Sequence, residues 1–175
     1  IWYGRAMELI NDQLLDRAQI LLDQVLRDPV SSNWKSLSQF WSGEIAYRRN
    51  EPSAAVSFFT DYLSATPFSS GEANFTNARY TLGYAYMKLG NYAAAADQFQ
   101  QITRNMPGQP GALLQDAWLR AGDCQYMRRA SLMSATSAPT GTSTMGLPAM
   151  TPAARTYFSK SAASGIMYLT VKSPY

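Results

Sequence analysis

Leu82-Gly83-Tyr84-Ala85-Tyr86-Met87-Lys88-Leu89-Gly90-Asn91-Tyr92-Ala93-Ala94-Ala95-Ala96-Asp97-Gln98-Phe99 carries the pattern of a helix, a tight turn and a second helix. Gly83, Ala95 and Phe99 in it repeat Gly43, Ala55 and Phe59, each 40 residues earlier. Helix backbones approach closely only where side chains are short, so a shared small, small, aromatic register marks repeated antiparallel helix pairs. Apolar residues keep helical spacing through Tyr80, Leu82, Tyr84, Tyr86 and Met87, and again through Tyr92, Ala95, Phe99 and Ile102. Between the two runs, Gly90 suits the left-handed residue that ends a helix, Asn91 suits the cap of the next, and Pro107 closes the unit.

Outward from this pair the same register organises most of the chain. In the preceding unit Asn50 stands in the place of Gly90 and Pro52 in that of Tyr92. Asn tolerates the left-handed conformation and Pro suits a first helical turn, so the turn chemistry is kept. Trp2, Ala6, Asn11-Asp12, Ala18 and Leu22 fit a first unit, with Ala18 lying 37 residues before Ala55. A fourth begins near Gly111 with Leu114, Ala117, Trp118, Ala121, Gly122 and Tyr126, and its second helix is displaced to Thr151-Pro152, Ala154, Phe158 and Ala162. The intervening Ser/Thr/Gly/Pro/Met-rich stretch, about 130–150, reads as an expanded inter-helix loop. Gly165 breaks the periodicity, and Ser173-Pro174 reads as the cap and first position of a further helix. The expected units are therefore 1–29, 31–66, 70–107 and 110–164, with 165–175 starting another. Such an array is expected to be a piece of a longer protein or to assemble end to end.

Leu82-Gly83, Tyr86, Gly90, Tyr92, Ala95, Phe99 and the late Pro107 closely resemble the tetratricopeptide repeat. The resemblance implies an all-α, right-handed solenoid of about four antiparallel helix pairs, with a long loop inserted in the fourth. It also implies a non-catalytic protein-interaction scaffold whose concave side receives an extended or helical peptide. Phe40-Trp41-Ser42-Gly43-Glu44-Ile45-Ala46-Tyr47-Arg48 and Leu119-Arg120-Ala121-Gly122-Asp123-Cys124 look like phrases from bacterial envelope members of that family. These serve as periplasmic or outer-membrane-associated scaffolds in secretion, motility and envelope assemblies; a cytoplasmic location stays open.

Composition narrows the chemistry. The 175 residues contain no histidine and one cysteine, Cys124. That removes the common general base, the Ser-His and Cys-His nucleophile systems, an intrachain disulfide and Cys-rich or His-containing metal sites. Cys124 reads as a small packed residue. Glu44, Glu51, Asp61 and Glu72 lack a paired spacing for acid-base work, and Gly141-Thr142-Ser143-Thr144-Met145-Gly146 lacks the Gly-Lys ending of a phosphate loop. No catalysis, cofactor or metal is expected. The net charge of +3 divides as −2 over 1–66 and +5 over 67–175, but the only adjacent basic pairs are Arg48-Arg49 and Arg128-Arg129. A nucleic-acid partner is therefore not expected, and no apolar run has the 18 residues of a transmembrane helix.

Candidate partner-binding residues follow from helical rotation. Phe40, Glu44, Tyr47 and Arg48 share one face within about 100° of rotation, while Gly43 and Ala46 point toward the hairpin partner. The same register selects Tyr80, Tyr84, Met87 and Lys88, then Leu119, Asp123, Tyr126 and Met127. Family members that clamp a C-terminal carboxylate place Lys and Asn where Tyr3, Phe40, Tyr80 and Leu119 stand here. A more apolar or aromatic partner is thus expected. Two rivals keep the fold: self-assembly into a homo-oligomer or filament, and service as the helical-repeat arm of a larger enzyme.

Overall fold

The computed structural model describes residues 1–29, 32–64, 68–105 and 111–136, all within one compact unit, Ile1–Ser137. Among the described residues there are seven helices and no strand. They are α1 (Trp2–Asn11), α2 (Leu15–Arg27), α3 (Ser32–Arg48), α4 (Pro52–Ser64), α5 (Phe75–Lys88), α6 (Tyr92–Asn105) and α7 (Ala112–Thr136). Each helix packs on the next in chain order and α3 also touches α5, giving three hairpins in series and a seventh helix, a solenoid of the tetratricopeptide kind.

The three hairpin turns are built alike. Gln13, Asn50 and Gly90 have φ of 61°, 62° and 73°. Beyond each, a backbone N–H reaches back five residues: Leu14 to the Leu9 carbonyl at 2.8 Å, Glu51 to Ala46 at 2.9 Å and Asn91 to Tyr86 at 2.9 Å. Left-handed residues in these places satisfy carbonyls that the helix end would otherwise leave bare. The asparagine expected to substitute for glycine at position 50 does so. In the first turn a glutamine, just past Asn11-Asp12, takes that conformation. Pro52 opens α4. Asn91 caps the next helix, its Oδ1 accepting from the Ala94 N–H at 3.2 Å, and Asn74 Oδ1 accepts from the Asn77 N–H at 2.9 Å to cap α5.

The repeat register is a packing register. Ala18, Ala55 and Ala95 are fully buried, and so are Leu22, Phe59 and Phe99 four residues on. A Cβ on Gly43 would lie 3.0 Å from the Phe59 ring, and one on Gly83 would lie 2.7 Å from Cζ of Phe99. Each glycine is the floor of a ring seat. In the first hairpin Ala6 and Leu22, both fully buried in one cluster, hold the corresponding places. A methyl added on one helix is matched there by a smaller side chain on the other. Buried residues of α1 to α5 form one cluster and those of α6 and α7 another, with Tyr86 packed against both.

One boundary differs from the sequence reading. The stretch read as loop begins in helix, because α7 runs on to Thr136. Ala130, Leu132, Met133 and Ala135 are good helix formers, and the first breaker is Pro139. The rest of the expected loop, the displaced helix around Ala154 and Phe158, the segment 165–175 and Pro107 lie outside the described residues.

Candidate functional site

The first helices of successive hairpins share one side of the array, and their side chains are tied together across it. Between α1 and α3, Trp41 Nε1 donates to Tyr3 Oη at 3.1 Å. From α5, Thr81 Oγ1 donates to Glu44 Oε2 of α3 at 3.4 Å and Lys88 Nζ to Asn50 Oδ1, in the turn after α3, at 3.1 Å. The same ammonium sits 4.2 Å from the centroid of the Tyr47 ring, a cation–π contact. Within α3, Glu44 pairs with Arg48 at 3.3 Å.

The densest part lies between α5 and α7. Tyr80 and Tyr84, one turn apart, both donate their hydroxyls to Asp116 Oδ2, Tyr80 at 2.7 Å. Arg120, one turn on from Asp116, donates through Nε to Tyr84 Oη at 3.0 Å and to Asp116 Oδ1 at 3.3 Å, and through Nη1 to Asp123 Oδ2 at 2.8 Å. A largely buried guanidinium thus lies between two carboxylates, so its charge is balanced and its donors are directed. The Tyr84 and Tyr80 rings also stand edge-on to Phe99, with centroids 5.4 and 6.2 Å away.

Electrostatics keep the tyrosines as donors. Burial, reinforced by Glu44, pushes Tyr47 up to about 12. Burial pushes Tyr80 up to about 12, the hydrogen bond to Asp116 adding to the rise. Tyr84 is raised further, by burial first and then by its bond to Asp116. Burial lowers the Lys88 ammonium. Cys124 is buried and free, its thiol pushed up to about 11 by burial and then by Asp123, so it is packed as the sequence suggested. No group of three or more metal-ligating side chains occurs among the described residues. This surface offers fixed hydrogen-bond donors, acceptors and aromatic faces, an arrangement suited to holding a chain.

The expected stripe is only partly assembled. Glu44, Tyr47, Arg48, Tyr80, Tyr84, Lys88 and Asp123 share the tied side through the contacts above. Phe40 does not belong to it: it is 3% exposed and packs its ring against Phe59 at 5.7 Å and Tyr62 at 5.6 Å. Standing three residues before Gly43, it faces the same hairpin partner as that glycine. Met87 packs into the second core cluster, and Met127 is half-buried. Leu119 and Tyr126 are 49% and 62% exposed, and Leu119 holds in α7 the place of Phe40 in α3. Thr81, Asp116 and Arg120 are members that the stripe omitted. Asp116-x-x-x-Arg120, opposite charges one turn apart on a helix, is the signal that marks the last two.

Among the described residues no helix is long and apolar enough to cross a membrane. No curated protein matches the chain. Residues 76–109, which cover α6 and nearly all of α5 and hold the Gly83–Phe99 seat, match the family model described as Tetratricopeptide repeat, so this hairpin is similar to a tetratricopeptide repeat.

Proposed function

We propose that the protein is a non-catalytic scaffold that holds a partner peptide or protein along the side formed by α3, α5 and α7. Tetratricopeptide repeats generally mediate protein–protein interaction. The observation that carries the proposal here is the tied row from Glu44 and Tyr47 through Lys88 and Tyr84 to Arg120. It fixes polar and aromatic groups before any partner arrives, so little side-chain ordering remains to be paid on binding. Arg48 and Lys88 are exposed at one end of the row and offer the first contacts. The Phe40, Tyr80 and Leu119 positions lack the Lys and Asn of a carboxylate clamp, which favours an internal segment over a chain terminus. A place in a bacterial envelope, secretion or motility assembly is part of the proposal and rests on the sequence resemblance alone.

Crosslinking capture from the source cells tests the reading. The native chain is compared with an Arg48→Glu/Lys88→Glu variant of matched melting temperature. A specific heterologous protein captured by the first and lost by the second is the expected result. Identical captures from both would refute it.

A further inference from the structure

We propose that the segment held along α3, α5 and α7 belongs to a partner protein and presents an aspartate or glutamate side chain to Lys88, at the Tyr47 end of the row. This rests on the reading above and adds the chemistry of the occupant and the end at which its acidic residue lies. Lys88 is exposed, yet its ammonium is held in place: Nζ donates to Asn50 Oδ1 at 3.1 Å and stands 4.2 Å from the centroid of the Tyr47 ring. Neither contact brings a negative charge. An ammonium has three donors and a full positive charge, so an amide oxygen and an aromatic face leave it short of an anion.

No acidic side chain of these 175 residues supplies that anion. All twelve aspartates and glutamates lie among the described residues, and the stretches outside them, 30–31, 65–67, 106–110 and 137–175, contain none. The ion pairs among the described residues engage Arg48, Arg49 and Arg120 and pass Lys88 by. Glu44, the carboxylate at this end of the row, is taken up by Arg48 at 3.3 Å and by the Thr81 hydroxyl at 3.4 Å. Two cations thus stand against one carboxylate. At the other end the balance is reversed, since Arg120 lies between Asp116 and Asp123 and its charge is already answered. An acidic side chain is drawn to the first end and repelled from the second, which fixes how the occupant lies. Burial lowers the Lys88 ammonium, so part of its hydration is lost before a partner arrives. Its fixed position also spares ordering that a free lysine side chain would undergo on pairing.

Random linear peptides displayed on phage and selected on the full chain supply the probe, and the strongest binder is made as a labelled synthetic peptide and titrated by fluorescence anisotropy. An aspartate or glutamate shared by the selected sequences is expected. Replacing it by its amide should weaken binding to the native chain about two- to five-fold and leave binding to a Lys88→Met chain almost unchanged, since the pair is already broken there. A Lys88→Arg chain, which keeps the charge, should still distinguish the acid from the amide, and the difference should shrink as salt is added. Photocrosslinking of the same peptide locates it. A peptide that crosslinks to α3, α5 and α7 but shows no acidic preference, or loses as much on the Lys88→Met chain as on the native one, overturns this inference and leaves the proposed function standing. Failure to select any binder, or crosslinks confined to other helices, overturns both.

Discussion

Alanine substitution at the three register glycines should move stability in different directions, although the chemical change is the same each time. In a helix interior Gly→Ala gains about 1 kcal/mol from backbone entropy and propensity. At Gly122 no atom of the described residues lies within 4 Å of the new Cβ, and Gly122→Ala should stabilise by about that amount. At Gly83 the methyl would meet Phe99 at 2.7 to 2.9 Å. Phe99 is fully buried between Tyr80, Tyr84 and Ala95 and has no free side to move into. Overpacking of this kind costs about 1–3 kcal/mol, so Gly83→Ala ends with a net loss of up to about 2 kcal/mol. Gly43, 3.0 Å from three atoms of Phe59, should fall between. A chain of this length shifts its melting point by about 2–4 °C per kcal/mol, which separates Gly83→Ala from Gly122→Ala by roughly 2–12 °C. Thermal melts followed by far-ultraviolet circular dichroism read this directly. Adding Phe99→Leu to Gly83→Ala, copying the Ala6 and Leu22 pair of the first hairpin, should recover part of the loss. A Gly83→Ala chain that melts as high as the Gly122→Ala one, or three equal shifts, would refute the ring-seat account.

Four further outcomes are expected. Asp116→Ala removes the acceptor of two tyrosine hydroxyls and one partner of Arg120, and should cost about 1–3 kcal/mol by urea unfolding, with Tyr84→Phe costing less. Tyr47 and Tyr80 are pushed up to about 12 by burial, so between pH 10 and 12 the folded chain keeps protons that the unfolded chain has lost. Their stabilising contribution is full below pH 10 and falls as pH rises toward 12, and a Tyr47→Phe/Tyr80→Phe chain should show a shallower fall in urea midpoint. Ser38 Oγ is buried with no hydrogen-bond partner among the described residues, so Ser38→Ala should leave the melting point unchanged or raise it. Cys124 should label with a maleimide at pH 8 only on unfolding, because the thiol is buried and its pKa is raised to about 11.

The tyrosine stripe shows how far sequence reading of a face can go. Helical rotation placed Tyr80, Tyr84, Lys88 and Glu44 on one side, and they do share it. The same rotation put Phe40 beside them, yet its ring belongs to the hairpin core. A residue three before the glycine lies near the border of two faces, and rotation about one helix axis cannot say where the neighbouring helix sits. Asp116 and Arg120 were absent from the stripe because their partners come from another helix, 32 to 36 residues away. Within α7 alone they read as an ordinary surface pair.

The repeat, the helices of its three described hairpins and the turns at Asn50 and Gly90 are legible in the residues alone. Those features rest on local chemistry: short side chains where backbones meet, left-handed residues at Asn50 and Gly90, and an asparagine cap at Asn91. It took the packed helices to show that Phe59 and Phe99 fill the seats at Gly43 and Gly83 while no described residue fills one at Gly122, and that the tyrosines are bonded to Asp116 across a repeat. The glycines are chemically identical, and what distinguishes them is the presence or absence of an aromatic ring carried by a second helix. That is a property of the packed pair, which no single residue or spacing contains.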